Sequence, residues 1–448
     1  METIKPCLNK VVKSEDETLS DSKRSYEVFN TFLIETRRKI HQNAESGWLE
    51  FQTTALVAER LKELGYEVKL GSEIVNLDFV MGRPSDKIVS EAIERAEANG
   101  VAKSILGKMD GYTGALGILD TGREGPTTVL RFDIDANDIS ERQLGSHKPY
   151  REGFASKNPL AMHACGHDGH TAIGLAVAET LMQRKSCLKG IVKLVFQPAE
   201  EGVRGAKAIV ESGVVDEADY FIAGHIGFGV PKGGFTANTT QFLATTKMDV
   251  VMRGKASHAG AKPEEGTNAL LAAAAATVQL HTITQHSAGL GRLNVGTLRA
   301  GTGRNIIADY AKMQIEARGE TTEVNGYIVK RAEEIIRGTA SAYGVEVSIE
   351  KVGEAVTSYS DGELADRIHQ IASKCEADLI IYPEFKLGGS EDATVFMERV
   401  RERGGKAVYM IMGSEIAAGH HNEAFDFDEG VLVLGLKLFT EVVMDLNG

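Results

Sequence analysis

The feature that most constrains the fold is an alternation of strands and helices between about residues 110 and 226. The apolar segments TTVLRFDIDA, GIVKLVFQPAEEG and YFIAGHIG predict buried strands, and TAIGLAVAETLMQR and AKAIVESGVV predict helices between them. This order is typical of a three-layer α/β domain, in which helices cover both faces of a sheet. Open α/β sheets bind ligands at the carboxyl ends of their strands, and the polar clusters of this chain lie where its predicted strands end.

The alternation stops at about residue 240 and resumes at about residue 357. Residues 241–356 follow the order strand, helix, strand, strand, helix, strand, which predicts a self-contained ferredoxin-like α+β unit inserted in the chain. We therefore predict an α/β domain made of residues 23–240 and 357–448. Residues 1–22 are predicted to be a polar tail, and residues 72–110 an insertion with one helix, DKIVSEAIERAEANGVAKSIL.

The charge and the cysteine content limit the partners and the location of the protein. A formal net charge of −13 at pH 7 disfavours nucleic acids and anionic membranes as partners. The longest apolar run, Ala269–Leu280, is too short to span a bilayer, and the N-terminal segment lacks the apolar core of a secretory signal. A disulfide framework is not expected, because the chain has only four distant cysteines, Cys7, Cys165, Cys187 and Cys375. We therefore expect a reducing, cytoplasmic compartment.

The stretch MHACGHDGH, residues 162–170, holds three histidines and a cysteine and allows three interpretations. Cys165 and His167 are separated by one residue, so in an extended chain their side chains would share a face and reach one metal centre. Cys165 could instead be a nucleophile with His163, His167 or His170 as its base. The stretch could also be a polar loop without a chemical role.

Other polar clusters would complete a metal site. Glu200 and Glu201 end one predicted strand, where successive side chains would point to opposite faces, so that one carboxylate could bind a metal and the other carry a proton. His225 ends another strand, and the late loop AAGHHNEAFDFDE contains a further histidine. Thiolate, imidazole and carboxylate together suit Zn²⁺ or Mn²⁺, and five ligands fit a two-metal site. The five candidate ligands are Cys165, His167, Glu201, His225 and His421. A nucleophilic cysteine would leave the acids unexplained.

The order of these motifs resembles the M20 metallopeptidase family, and most closely its amidohydrolase branch. The resemblance covers residues 25–448 and rests on RFDIDA, MHACGHDGHTA, QPAEEG, GHIG, SHAGAKPEEGTNAL, GRNIIAD, GGSEDAT and GHHNEAFDFDE. It implies a catalytic α/β domain that holds two divalent metal ions, Mn²⁺ or Zn²⁺. It also implies that the inserted ferredoxin-like unit serves as a lid and in dimerisation.

The resemblance further implies roles for residues of the α/β domain. Cys165 matches the ligand that bridges the two metal ions, the other four candidates match the remaining ligand positions, and Glu200 matches the general acid/base. Arg131 stands where many members of the wider family have a metal-binding histidine. Since arginine is not a ligand, Asp133 would orient a ligand or pair with Arg131. Asp168 is expected to support the site as well.

The inserted unit carries the expected substrate contacts. His258 in SHAGAKP matches a lid histidine that, in dimeric members, reaches into the partner's site and helps to hold the substrate carbonyl. Asn305 in GRNIIAD matches a lid residue near the substrate. Arg318 lies near a position that binds the substrate carboxylate in related enzymes. Arg304 and Lys262 are further candidates for the carboxylates of a glutamate leaving group.

The resemblance implies metal-assisted hydrolysis of the amide bond of an N-acyl amino acid. The segment SHKPYREGFASKNP and the insertion at 72–110 look closest to a subgroup that cleaves p-aminobenzoyl-glutamate, a folate breakdown product, into p-aminobenzoate and glutamate. Another N-acyl-amino-acid or hippurate-type substrate is the alternative, and a non-catalytic partner subunit is the remote one. The expected assembly is a homodimer formed through the lid, or a hetero-oligomer with a related B subunit.

Overall fold

The computed structural model describes residues 26–448, so the expected tail at residues 1–22 lies outside the described residues. The first part of the chain contains α1 Asn30–Gln42, α2 Phe51–Leu64, β1 Glu67–Leu70, α3 Asp86–Ala98, α4 Lys103–Met109, β2 Ala115–Asp120, β3 Thr127–Asp133, α5 Lys148–Arg151, α6 His167–Gln183, β4 Ile191–Gln197, α7 Ala206–Val210, β5 Tyr220–Ile226, β6 Gly234–Thr236 and β7 Thr239–Thr240. The middle part contains β8 Ala244–Arg253, α8 Ala269–Leu280, β9 Gly291–Ala300, β10 Tyr310–Gly319, α9 Thr322–Tyr343 and β11 Glu346–Ala355. The last part contains α10 Gly362–Cys375, β12 Ile380–Ile381, β13 Phe385–Lys386, α11 Ala393–Glu402, β14 Lys406–Met412 and α12 Val431–Asn447.

The first and last parts of the chain form one eight-stranded sheet in the order β1-β2-β4-β3-β5-β14-β6-β12. The four central strands β4, β3, β5 and β14 are mutually parallel. Strand β2 pairs antiparallel with β1 and β4, and β6 pairs antiparallel with β14 but parallel with β12. The parallel strands therefore end at one edge, with Asp133, Gln197, Ile226 and Met412 as their last residues. This edge is where the sequence predicts the site.

Helices cover both faces of this sheet, as a three-layer α/β domain requires. Along β3, Leu130 and Phe132 pack into the core formed with α1, α2, α6, α10 and α12, whereas Val129 packs into the core formed with α7 and α11. The alternation follows from the two-residue period of a strand. Each fully buried Leu or Phe contributes roughly 1.5–3 kcal/mol to the hydrophobic free energy of folding. The α/β prediction is confirmed.

The middle part has the β-α-β-β-α-β order that its sequence pattern predicts. Its strands form a separate antiparallel sheet in the order β11-β8-β10-β9. Helices α8 and α9 pack on one face, where Met248, Val250 and Met252 of β8 are buried. The opposite face is polar and open, because Lys247 and Asp249 alternate with those apolar residues. We call this part the lid.

The insertion at residues 72–110 contains two helices, α3 and α4, so the prediction of one continuous helix is wrong. The chain turns between them because Gly100 adopts a left-handed conformation with φ +94°. The insertion is held against the α/β domain by the hydrogen bond that the Trp48 indole N–H donates to the Met81 carbonyl oxygen at 2.9 Å. Among the described helices, none combines the length and the apolar character that crossing a membrane requires.

Candidate metal centre

The histidine-rich stretch is a turn followed by the start of helix α6. Gly166 adopts φ +97°, and His167 is the first residue of the helix. The interpretation that Cys165 and His167 share a face in extended chain is therefore wrong, although both side chains reach one place. The turn brings the Cys165 Sγ atom to 3.3 Å from Nε2 of His225, the penultimate residue of β5.

The five predicted ligands converge in two overlapping groups. The potential ligand atoms of Cys165, His167 and His225 all lie within 4.8 Å of one another. The same holds for Cys165, Glu201 and His421, so that Cys165 belongs to both groups. Two overlapping sets of potential ligands are compatible with a site for two neighbouring cations.

The two histidines closest to Cys165 have one ring nitrogen fixed by an acceptor. His167 Nδ1 lies 2.9 Å from the Asp135 carbonyl oxygen, and His225 Nδ1 lies 2.8 Å from the Ile226 carbonyl oxygen. A carbonyl oxygen can only accept, so these contacts assign the proton to Nδ1 in both rings. In the neutral form of each ring, Nε2 then offers its lone pair to a metal, with the orientation that metal-binding histidines usually receive from a backbone carbonyl.

Glu200 and Glu201 follow the end of β4 in a loop in which Ala199 has φ +53°. The Asp135 carboxylate accepts the backbone N–H groups of Glu200 at 3.1 Å and Glu201 at 2.9 Å. Both side chains turn towards His167, because the loop is not extended, and the expectation that they point to opposite faces is wrong. Glu201 Oε1 lies 3.3 Å from Nε2 of His421.

The two carboxyl groups differ strongly in acidity. Burial, together with the negative charges of Glu391, Glu201 and Asp392, raises the pKa of Glu200 well above its usual value. Burial also opposes ionisation of Glu201, but the hydrogen bond from His421 and the nearby imidazoles lower its pKa to about 2. Glu201 is therefore an ionised ligand candidate, and Glu200 is able to hold a proton.

The electrostatics of Cys165 argue against a nucleophile. Burial and the neighbouring carboxylate of Glu201 raise the pKa of the Cys165 thiol well above its usual value. Catalytic cysteines need the opposite shift, which is produced by a cation or a helix N-terminus. Burial and adjacent histidines hold the pKa of His225 well below its usual value, so this ring is neutral, as a metal ligand must be.

One buried polar atom tests whether a cation fits this site. His167 Nε2 has no hydrogen-bond partner among the described residues, although it is shielded from solvent. Leaving such an atom without a partner is unfavourable by about 1–3 kcal/mol. A divalent cation would satisfy His167 Nε2 and stabilise the Cys165 thiolate, so the residues present fit a metal centre.

Arg131 occupies the sheet beside this centre and binds three carboxylates. Its buried guanidinium donates to Asp133 at 2.6 Å and to Glu391 and Asp392 at 3.1 Å each. Asp133 also accepts a 2.6 Å hydrogen bond from His170, whose other ring nitrogen accepts the Ile226 N–H. The expected pairing of Asp133 with Arg131 is present in the structure.

Asp168 supports the start of helix α6 rather than a ligand directly. Its carboxylate lies 2.7 Å from Arg37 Nε and 2.8 Å from His41 Nδ1, both in helix α1. These contacts fix the first turn of α6, which carries His167. Asp168 is therefore linked to the site through the helix.

The residues predicted to bind substrate lie in the lid, and no described contact joins them to the five ligand candidates. His258 and Asn305 are exposed in adjacent loops, where the Ala259 N–H donates to the Asn305 carbonyl oxygen at 3.0 Å. Arg318 pairs with Glu316 at 3.0 Å and lines a separate lid cavity of about 600 Å³. The remaining two predicted cations are Arg304, which is exposed in the same loop as Asn305, and Lys262, which pairs with Glu265 at 2.7 Å.

Sequence reasoning missed three acids of the site. Asp135 holds the Glu200–Glu201 loop, and Glu391 and Asp392 bind Arg131. The signal for Asp135 was its position two residues after Asp133 in RFDIDA, which places both carboxylates at the same strand end. The motif GGSEDAT was noticed, but its two acids could not be assigned to Arg131 because 260 positions separate Arg131 and Glu391.

Comparison with known proteins identifies relatives of the chain. Residues 129–445 match the model of the peptidase family M20/M25/M40. An indole-3-acetyl-aspartic acid hydrolase from Enterobacter agglomerans is 48% identical, with 90% of this chain and 93% of that protein covered. One of the subunits of p-aminobenzoyl-glutamate hydrolase from Escherichia coli K12 is also 48% identical, with 92% and 95% covered.

Solved structures show the same relationship. An aminobenzoyl-glutamate utilization protein from Klebsiella pneumoniae superposes with a TM-score of 0.80 at 39% identity, covering 97% of this chain and 98% of that chain. A dinuclear metal-binding peptidase of the M20 family from Bacillus subtilis shares the fold, with a TM-score of 0.64 at 23% identity and 94% and 99% covered. Because the family model matches well over half of the chain and two curated relatives share nearly half of its residues, the chain belongs to peptidase family M20/M25/M40.

Proposed function

We propose that this protein hydrolyses the amide bond of an N-acyl amino acid whose amino acid is acidic, with p-aminobenzoyl-glutamate as the foremost substrate. The observation that carries the proposal is the convergence of five ligand candidates beside a buried carboxyl group, Glu200. The similar proteins that are named as hydrolases of an acyl-aspartate and an acyl-glutamate support the substrate class. Hydrolysis of p-aminobenzoyl-glutamate would place the protein in the breakdown of folate derivatives.

Two divalent cations, Mn²⁺ or Zn²⁺, would be held by the five ligand candidates. The ligand atoms form two sets that share Cys165. The first set comes from Cys165, His167 and His225, and the second from Cys165, Glu201 and His421. When bound, the cations would supply Lewis acidity to the attacking water and to the carbonyl oxygen of the substrate.

Glu200 performs the proton transfer in this proposal. Its carboxylate accepts the proton of the attacking water and then donates it to the nitrogen of the leaving amine. A carboxylate with a raised pKa is a stronger base for the first step, and once protonated the same group is the acid for the second step. Asp135 fixes the loop from which Glu200 acts, and closure of the lid would exclude bulk water.

The proposed assembly is a homodimer formed through the lid. Strand β9 is a ten-residue edge strand of the lid sheet, and long edge strands with free backbone groups pair readily with another copy. Helix α8 beside it exposes Leu271 and Val278, at 50% and 71%. In the dimer, His258 would reach the partner's site. A related B subunit in the same place is the alternative, because the Escherichia coli relative is named as one subunit of its hydrolase.

A hydrolysis panel tests the proposed function. The purified protein, loaded with Mn²⁺ or Zn²⁺, is incubated with p-aminobenzoyl-glutamate, indole-acetyl-aspartate, hippurate and N-acetyl-alanine, and the released amine is quantified. We expect the two acidic substrates to have the highest kcat/KM, and chelation to abolish turnover reversibly. Equal rates on all four substrates would contradict the acidic preference but leave the amidohydrolase reaction intact.

Two further outcomes would overturn the reaction itself. Turnover that survives complete metal removal but stops with a thiol reagent would favour Cys165 as a nucleophile. No turnover with any substrate or metal, together with recovery when a related subunit is added, would favour a non-catalytic partner. A cytoplasmic location is part of the proposal, and the low cysteine content supports it.

A further inference from the structure

The cleft between the lid and the α/β domain contains a candidate specificity site. A cavity of about 470 Å³ is lined on one side by Glu201 and Asn137 of the α/β domain. On the other side it is lined by Lys247 and Gln314, which lie on the open polar face of the lid sheet. This volume is within the range of small-molecule binding sites. The cavity shares Glu201 with the metal centre, so it lies where part of a substrate held at the centre would extend.

Direct contacts fix the lid sheet beside this part of the α/β domain. The Glu354 N–H donates to the Val203 carbonyl oxygen at 2.9 Å. A side chain at Gly353 would place its Cβ 2.2 Å from the Gly202 carbonyl oxygen, so the two backbones touch. Strand β11 therefore contacts the loop that follows Glu201. This contact places the open face of the lid sheet opposite the metal centre.

Lys247 is a half-buried cation in this cleft without a carboxylate partner among the described residues. Two neighbouring acids of the sheet are already engaged, because Asp249 pairs with Lys312 at 2.6 Å and Glu316 pairs with Arg318 at 3.0 Å. The exposed Glu350 also lines the cavity, and no described ion pair joins it to Lys247. A partly desolvated ammonium group without a partner is unfavourable unless an anion joins it. Lys247 is therefore available to an anionic group of a ligand.

Arg204 adds a second positive charge to the same cavity. Its guanidinium donates to two backbone carbonyl oxygens, those of Glu201 at 2.7 Å and Gly82 at 3.2 Å, and to no described carboxylate. Arg204 thus ties the insertion at residues 72–110 to the loop of the metal centre while its charge stays uncompensated. By contrast, Arg318 lines another cavity.

We propose that Lys247 binds the side-chain carboxylate of the acidic amino acid in the substrate, with Arg204 as a further cation that lines the same cavity. The inference rests on the proposed function and deepens it. Lysine suits this task because its ammonium is a point charge on a flexible stem, which accommodates both aspartate and glutamate. The carboxylate that all N-acyl amino acids share needs a different partner.

The test compares substrates that differ only in the second carboxylate. The kcat/KM values of wild type, Lys247→Met and Lys247→Arg are measured with N-acyl-glutamate and N-acyl-glutamine carrying the same acyl group. Losing a hydrogen bond to a charged group should lower the kcat/KM of Lys247→Met for the glutamate substrate about 10- to 100-fold and leave the glutamine substrate within a few-fold. Lys247→Arg should recover most of the difference. Lys330→Gln, the loss of one exposed lid charge on helix α9, is the matched control and should change neither value.

Other outcomes overturn the proposal. An equal loss on both substrates would assign Lys247 to the shared carboxylate or to structure, and an unchanged glutamate preference would remove its role altogether.

If wild type hydrolyses neither substrate, the proposed function fails. Calorimetric binding of N-acetyl-glutamate and N-acetyl-glutamine then tests the inference separately. Weaker binding of only the glutamate compound by Lys247→Met would support it, and equal binding would overturn it.

Discussion

Glu200 and Glu201 are consecutive residues, and their surroundings shift their pKa values in opposite directions. Glu200 is buried and lies near other carboxyl groups, and both conditions favour its protonated form and raise its pKa. Glu201 faces His421 at 3.3 Å and stays ionised. Such a separation between neighbouring titratable groups distinguishes a proton carrier from a charged ligand. It also makes the two residues separable by experiment.

Substituting each glutamate by glutamine should give different losses. Glu200→Gln removes the proton carrier, and kcat should fall about 10²- to 10⁴-fold while the metal content stays unchanged. Glu201→Gln removes an anionic ligand, and metal should be lost together with turnover. The measurements are kcat at saturating substrate and metal content of dialysed protein by mass spectrometry. Near-normal turnover of Glu200→Gln, or equal metal loss in both variants, would refute these roles.

Asp135 is expected to support metal binding without being a ligand. Its carboxylate accepts two backbone N–H groups of the Glu200–Glu201 loop and lies 3.3 Å from His167 Nδ1. Each carboxylate oxygen of Asp135 accepts one of these N–H groups. Asp135→Asn replaces one oxygen by an NH₂ group, which cannot accept a hydrogen bond, so one of the two contacts is lost. Metal affinity should fall about 10- to 100-fold, as is usual for groups that orient ligands. Competition with a chromogenic chelator measures it, and an affinity equal to that of the exposed control Asp138→Asn would disprove the role.

At the residue scale, the sequence predicted the candidate metal ligands better than the residues that hold those ligands in place. Glu201 and His225 end predicted strands, so their convergence followed from the geometry of a parallel sheet. Glu391 and Asp392 were beyond prediction, because an acid in a loop is ordinarily solvated. Their burial depends on the guanidinium of Arg131, which meets them only after the chain has folded.

At the scale of elements, the turn before helix α6 controls how Cys165 and His167 meet. Gly166 has φ +97°, yet an added Cβ would find its nearest neighbour at 3.8 Å, so backbone conformation alone requires glycine. Polar residues dominate this helix start, and the apolar periodicity that identifies helices begins only later. The extended conformation expected from the sequence was wrong for that reason.

Gly166→Ala should lower the free energy of unfolding of the metal-free protein by about 1–2 kcal/mol, the usual cost of a left-handed residue with a side chain. It should also weaken metal binding, since relaxation of the turn separates Cys165 from His225. Gly122→Ala is the matched control, because Gly122 has φ +69° with nothing within 4 Å of an added Cβ. Urea unfolding in excess chelator and metal titration measure the two effects. Equal metal affinity in both variants would show that the turn does not position Cys165.

At the scale of the whole molecule, periodicity was sufficient to predict the two folding units but not their contact. The alternation of β8 residues predicts a sheet with one buried face, and the structure has it. The position of the polar face relative to the α/β domain depends on the contact between strand β11 and the loop that follows Glu201. That contact is made between backbones, so no side-chain pattern encodes it. For the same reason Lys247 was missing from the predicted cations, which were chosen from motifs alone.

The placement of His258 gives the last prediction. Strand β8 starts beside the α/β domain and, at about 3.3 Å per residue, extends about 33 Å before it ends at Arg253. His258 lies beyond that far end in an exposed loop, and none of its described contacts reaches the five ligand candidates. A second copy joined through β9 would bring His258 to a site other than its own.

Complementation between two inactive variants checks this arrangement. His258→Ala and Glu200→Gln should each have low turnover, but a mixed dimer contains one complete site, with Glu200 from one chain and His258 from the other. Random pairing of equal amounts makes half of the dimers mixed, so about a quarter of wild-type activity should return, because a two-fold dimer has two equivalent sites. Differently tagged chains, refolded together and purified on both tags, give the mixed dimer directly. If that purified species were as inactive as its parents, His258 would not act across the interface.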